Sequence, residues 1–245
     1  MTTGSADERP AELASRLTAV RARIAAACAE AGRDPGEITL IAVTKTYPAA
    51  DIRRLVDLGL HDIGENRDQE AAPKAAELAM DGAPVRWHFV GQLQRNKARS
   101  VVTYADLVHS VDSVPLAAAL DRAAGQHRDR PLEVLVQVSL DGDLARGGAA
   151  READVPDREL DRVISAVAGS STLRLRGVMT VAPLSWDPAS AFSRLAEISD
   201  AVRHNHPGAT VISAGMSADL EAAIAAGATH VRVGSALLGK RPSLR

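Results

Sequence analysis

Aromatic residues are scarce in this chain: Phe, Trp and Tyr make up 2% of its 245 positions. That argues against any function built on base stacking or an aromatic groove. Cysteine is scarcer still, and the single Cys28 excludes an internal disulfide and a cysteine metal cluster, which suits a reducing compartment. It lies in the Ala-rich helical stretch RIAAACAEAG, which predicts a buried structural thiol in preference to a nucleophile. Neither sign of charge is in excess: the net charge of −2 gives no general attraction for nucleic acid or anionic lipid, although a small neutral or anionic ligand can still be held locally. No run approaches the roughly 20 apolar residues of a membrane span, and the polar, acidic start MTTGSADERPAEL has no apolar segment of the signal-peptide kind. The expectation is a cytoplasmic protein with a short disordered tail over residues 1–10 and one folded domain over 11–245.

Ala, Val and Leu dominate the 46% of hydrophobic residues and suffice for a substantial core. They fall into short β-branched runs that alternate with longer Ala/Leu-rich helical patterns. A leading helix is expected from Ala11 to Ala31, ended by Gly32. Strands are expected at Thr39–Thr44, His61–Gly64, Arg86–Val90, Leu107–Val111, Glu133–Ser139, Leu173–Val181, Thr210–Ser213 and Val231–Val233. Eight strands, each followed by a helix, are the number that closes a single (β/α)8 TIM barrel, a fold of about 250 residues. An open doubly wound sheet is the alternative, weakened because no GxGxxG follows the first strand. The interior stretch DGDLARGGAAREADVPD, Asp141 to Asp157, reads as a mobile loop after the fifth strand.

In such a barrel chemistry belongs at the C-terminal ends of the strands. Lys45 ends the run IAVTK there, on the same strand face as Ile41 and Val43. It either snorkels to solvent or serves as an amine able to form a Schiff base. Ser217, in ISAGMSADLE, sits where it either caps the following helix or offers its hydroxyl to an anion. Gly234 and Ser235 follow the eighth strand; the glycine lets backbone approach a ligand closely and the serine adds a donor. Loops after strands seven and eight frequently bind phosphate in this fold, so an amine and an anion cradle would face one another across the mouth. A cofactor bearing both an aldehyde and a phosphate, pyridoxal 5′-phosphate, fits that pairing. Arg232 shares a strand face with Gly234 and forms either a structural ion pair or a hydrogen bond to a pyridine nitrogen. Such a bond would leave the nitrogen unprotonated and mute carbanion chemistry.

Asn66, in IGENRDQE, either caps a helix or reaches the cofactor, and His88, in WHFVGQLQRNK, is either a core histidine or part of the pocket wall. GSALLGK, Gly234 to Lys240, matches the start of a phosphate-binding loop, but Arg241 stands where Ser or Thr is required. His204 and His206 lack the HExxH spacing of a metal site and read as surface residues before a turn.

Taken together, IAVTKTYP, IGENRDQE, WHFVGQLQRNK, RGVMTVAP and SAGMSADLEAAIAAGATHVRVGSALLG closely resemble the YggS/PROSC pyridoxal phosphate homeostasis proteins, over nearly the whole chain from about residue 12. The resemblance implies a barrel similar to the alanine racemase N-terminal domain, with pyridoxal phosphate held as a Schiff base on Lys45. It assigns Ser217, Gly234 and Ser235 to the phosphate, Arg232 to the pyridine nitrogen, and Asn66, His88 and Met179 to pocket motifs. The chain departs from the family pattern at Tyr47, often lysine, at Ala214, often Met, and at Leu238, usually aromatic. The implied function is homeostasis of the cofactor and of amino-acid pools, with apo-enzymes as recipients; a monomer is expected because no long exposed apolar face is evident. The alternatives are a pyridoxal phosphate-dependent amino-acid racemase, for which the chain is expected to lack a second base-bearing domain, and a phosphosugar-type barrel enzyme that would leave Lys45 unexplained.

Overall fold

A computed structural model describes residues 8–239; residues 1–7, with most of the expected tail, and Lys240 of the GSALLGK motif lie outside the described residues. Eight parallel strands close into a barrel in sequence order. They are β1 (Thr39–Val43), β2 (Asp62–Glu65), β3 (Arg86–Phe89), β4 (Leu107–Val111), β5 (Leu132–Gln137), β6 (Leu173–Met179), β7 (Val211–Ser213) and β8 (His230–Val233). Helix α1 (Glu8–Glu30) precedes β1, and each strand leads to one helix: α2 (Ala49–Asp57), α3 (Asp68–Met80), α4 (Ala98–Tyr104), α5 (Val114–His127), α6 (Leu160–Ala168), α7 (Pro188–Asn205), α8 (Leu220–Ala225) and α9 (Ser235–Leu238). The seam closes where β1 pairs with β8, with Thr39 opposite His230 and Ile41 opposite Arg232. The barrel is therefore realised, and the open sheet is not.

Strand alternation sorts the side chains. Leu40 and Ala42 point outward, into an apolar cluster with Leu13, Leu17, Val20, Ile52 and Leu237. Ile41 and Val43 point inward, where their methyls lie 2.9 and 3.5 Å from the position a Cβ on Gly64 would take. Helix α1 presents Leu13, Leu17, Val20, Ile24 and Cys28 at helical spacing to that outer cluster and packs against α2, α8 and α9, covering the seam. It starts three residues before the expected Ala11 because Pro10 fits a first turn, where the missing N–H costs nothing. Its end is a Schellman motif: Gly32 adopts φ 64°, and the Arg33 and Gly32 amides donate to the Cys28 and Ala29 carbonyls. Cys28 is fully buried, as expected, and burial pushes its thiol pKa up.

The stretch 141–157 is stitched to the barrel by more bonds than a mobile loop would have. Ala149 bridges Val138 and Ala150 bridges Glu159, so the segment runs back alongside the exit of β5. Gly148, at φ 106°, passes so close to Ser139 that a Cβ would lie 2.6 Å from its amide nitrogen. Arg158 then ties the segment to Asp112, at the end of β4, and to the Leu144 carbonyl.

Candidate functional site

The C-terminal ends of the strands surround a cavity of about 350 Å³, lined by Val43, Lys45, Tyr47, Asn66, Val90, Val181, Met216, Ser217, Ala218, Arg232, Gly234, Ser235 and Gly239. Six of the eight residues expected at a ligand site, Lys45, Asn66, Ser217, Arg232, Gly234 and Ser235, converge there from four different strand exits.

Lys45 continues the inward alternation of Ile41 and Val43, and the residues on either side of it are held from α3. Thr44 is fully buried; its hydroxyl donates to Glu65 at 2.7 Å, and the Lys74 ammonium donates to its carbonyl at 3.0 Å and to Glu65 at 2.6 Å. The amide of Thr46 donates to Glu70 at 2.9 Å. Thr46 has φ 70°, a left-handed conformation that a β-branched residue adopts only when its surroundings impose it. Burial pushes the Glu65 carboxyl pKa up, with Lys74 opposing, and Glu65 Oε2 has no hydrogen-bond partner. This bracing by Glu65, Glu70 and Lys74 was invisible in sequence, because α3 is polar along much of its length and its register on β1 is a tertiary fact.

Asn66 does not cap α3; that position belongs to Arg67. It lies at the cavity wall, with a buried Oδ1 that has no hydrogen-bond partner. Gly91 makes this possible: a Cβ there would lie 2.1 Å from the Asn66 carbonyl oxygen, so only glycine lets the β3 exit pass so close. Ser217 also differs from its expected place. The N-cap of α8 is Asp219, and Ser217 lies two residues earlier, where its hydroxyl accepts the Ala236 amide at 3.3 Å. The turns after β7 and β8 are thereby joined, with Gly234 and Ser235 beside Ser217. Gly215, at φ 87°, allows the first of these turns: a Cβ would lie 2.6 Å from that of Ala223.

Arg232 is 4% exposed and donates to the Ser213 hydroxyl at 2.6 Å and to the Thr180 carbonyl at 2.7 Å. Burial pulls its pKa down to about 10, so the guanidinium remains a cation at neutral pH with N–H groups to spare. The structural ion pair considered for it is not formed among the described residues.

His88 and Met179 are not brought to the cavity. Met179 packs with Leu107, Leu135 and Val211 in an apolar layer inside the barrel. His88 is buried and bonds to His109 and Asp62 at 2.9 Å each. Inward alternation put both inside the barrel, but on levels below the mouth. Of the residues that were not expected at the wall, Val43, Val90, Val181, Met216, Ala218 and Gly239 carry no chemical signature, and Tyr47 reaches it through the bond of its hydroxyl to the Gly239 carbonyl at 2.9 Å. Among the described residues no group of three or more His, Cys, Asp or Glu is placed to hold a metal ion, and His204 and His206 lie at the exposed end of α7.

Comparison with known proteins bears on this arrangement. The alanine racemase N-terminal domain profile matches residues 15–242. The chain is 46% identical over 244 residues to the pyridoxal phosphate homeostasis protein of Mycobacterium leprae, covering 95% of this chain and 94% of that protein. It is 37% identical to the protein of the same name from Escherichia coli, with 94% and 97% covered. PipY of Synechococcus elongatus, solved with PLP bound, superposes with a TM-score of 0.78 at 36% identity, covering 93% of this chain and all (100%) of that one. A Clostridium difficile alanine racemase shares the fold at 16% identity and TM-score 0.70, with 95% of this chain matching 57% of the racemase. On full-length identity and on the barrel they share, the chain belongs to the pyridoxal phosphate homeostasis protein family, within the alanine racemase N-terminal domain fold.

Proposed function

We propose that the cavity at the barrel mouth binds pyridoxal 5′-phosphate and that the protein serves the homeostasis of this cofactor, holding it on Lys45 and releasing it to apo-enzymes. One observation carries this: an amine, an unshared set of guanidinium N–H donors and two hydroxyl-bearing turns meet in a single cavity of about 350 Å³. That volume is at the lower end of the range for small-molecule sites. The residues fit the group. Lys45 would hold the aldehyde carbon, Ser217, Gly234 and Ser235 the phosphate, and the unpartnered Oδ1 of Asn66 calls for a donor. When bound, pyridoxal phosphate supplies an aldehyde that condenses reversibly with amines and a ring that can withdraw electrons from the product.

The chain's own residues temper that chemistry. Arg232 can only donate, so a ring nitrogen facing it stays an unprotonated acceptor and a weak electron sink. Val43, Val90, Val181 and Met216 make much of the rest of the wall apolar. Storage and transfer follow more readily from this wall than catalysis does. Racemisation requires a second base facing the lysine; among the described residues the wall carries no carboxylate and no imidazole, and its phenol, Tyr47, has its hydroxyl proton committed to the Gly239 carbonyl at 2.9 Å. We take the protein to act as a cytoplasmic monomer; no helix among the described residues is long and apolar enough to cross a membrane.

Titration of the protein with pyridoxal phosphate should develop a visible absorption band, and borohydride should fix the cofactor to the peptide containing Lys45. A Lys45→Ala protein should lose both. A wild-type protein without the band, or a label that persists in the variant, would overturn the assignment.

A further inference from the structure

Arg232 lies at one end of a hydrogen-bonded chain that crosses the barrel interior. Its Nη1 donates to Ser213 Oγ at 2.6 Å; Ser213 Oγ is 2.9 Å from His109 Nδ1; His109 Nε2 is 2.9 Å from His88 Nδ1; and His88 Nε2 is 2.9 Å from Asp62 Oδ1. The residues come from β8, β7, β4, β3 and β2 in turn. Ser213, His109 and His88 are at most 2% exposed, whereas Asp62, the first residue of β2, is 26% exposed at the N-terminal end of the barrel. The chain thus joins solvent at one end of the barrel to the cavity at the other.

Its two ends fix the direction of every bond between them. An ionised carboxylate only accepts, so His88 carries its proton on Nε2. With a neutral ring, His88 Nδ1 then accepts from His109 Nε2, and His109 Nδ1 accepts the Ser213 hydroxyl proton. The lone pairs of Ser213 are left for the guanidinium, which only donates. Burial keeps both imidazoles neutral, lowering His88 and pushing His109 well below the ordinary value, with Arg232 and His230 adding to the second shift. His88 holds the Asp62 carboxyl below its usual value, assisted by Arg86 and His230.

We propose that Asp62 is a positioning residue for the cofactor site, acting through His88, His109 and Ser213 to fix the plane in which Arg232 presents its free N–H groups to the cavity. The proposal rests on the pyridoxal phosphate reading above. Ser213 and the Thr180 carbonyl grip two nitrogens of the guanidinium, and with the Ser213 proton committed to His109 the serine lone pairs are directed at the guanidinium. Releasing the Asp62 end frees both tautomers, and with them the direction of the serine hydroxyl.

The test has one readout without cofactor and one with it. In the cofactor-free protein with 15N-labelled histidine, His88 and His109 should both show the neutral Nε2–H tautomer. Asp62→Ala should give mixed tautomers at both rings, while Ser213→Ala should leave them unchanged. After loading with pyridoxal phosphate, either variant should raise the rate of cofactor release about threefold to tenfold. The double variant should do no more than the stronger single, because both break one chain. A protonated or Nδ1–H ring in the wild-type spectrum overturns the chain without any variant, so a variant that fails to fold does not shelter the idea. Wild-type release from Asp62→Ala overturns the positioning role alone, whereas a wild-type protein that takes up no pyridoxal phosphate overturns the cofactor reading with it.

Discussion

Two polar layers lie inside the barrel, and they differ in how far their hydrogen bonds are completed. In the layer of His88, His109 and Ser213 each side-chain donor and acceptor named above has a partner 2.9 Å away or nearer. At the mouth, Asn66 Oδ1 is buried with no hydrogen-bond partner, and Arg232 keeps N–H groups beyond the two it uses. Burying an unpaired polar group costs free energy, so a fold keeps such groups where a ligand completes them. The satisfied layer is scaffold, and the open groups at the mouth are those the proposed cofactor would complete.

Substitutions should separate the layers by which property they break. His109→Leu would leave His88 Nδ1 and the Ser213 hydroxyl with no partner between them, and urea unfolding should show a loss of about 2–4 kcal/mol. A smaller loss, with cofactor affinity falling instead, would move His109 into the binding layer.

Acidification probes the same layer. Burial lowers the His230 pKa to about 3, and His88 and His109 shift in the same direction. The unfolded chain binds these protons near the ordinary value of 6.5. The histidine contribution to stability is therefore complete above that pH and declines as pH falls toward 3, at up to about 1.4 kcal/mol per pH unit for each ring. Glu65 has the opposite sign: its raised pKa takes up a proton first in the folded state and offsets part of the loss. Urea midpoints between pH 7 and 4 should fall, and His230→Gln should flatten the slope.

At the mouth the balance reverses. Asn66→Ala should change unfolding stability by less than about 1 kcal/mol while weakening pyridoxal phosphate binding roughly tenfold, the worth of one hydrogen bond. Equilibrium titration of the visible band would show it, and a large stability loss would place Asn66 with the scaffold. The smallest effect is expected at Thr46→Gly. Relief of the left-handed β-branched backbone is partly offset by a more flexible unfolded chain, which leaves a gain of about 1 kcal/mol or less in thermal unfolding.

Much of this organisation was legible before any fold. All eight strands were placed to within two residues at each end, because β-branched runs flanked by helical patterns are a local signal. Lys45 and Gly234 could be put at strand exits, and Arg232 within the last strand on the face of Gly234, by alternation and chain order. Ser217 lies at the cavity wall, and of its two readings the helix cap is not realised, since an N-cap is defined by backbone angles that S-A-D-L does not reveal. Of the two readings of His88 the core histidine is the one realised, and Met179, linked to the pocket only by resemblance, packs below the mouth: alternation gives the face of a strand, but height in a barrel depends on stagger between strands, which no single segment encodes.

The sequence by itself determined the eightfold repeat, the lysine at the end of the first strand, and the serine and glycine turns after the last two, because propensity, periodicity and chain order are local properties. Only the tertiary structure decided which polar groups were left open. Lys74 and Glu70 clamp the residues flanking Lys45 from another element, Gly91 lets Asn66 reach the wall, and four residues from four other strands line up behind Arg232. Each of those contacts requires the barrel to close with one particular register, and hydrogen bonds between groups far apart in the chain exist only after it has.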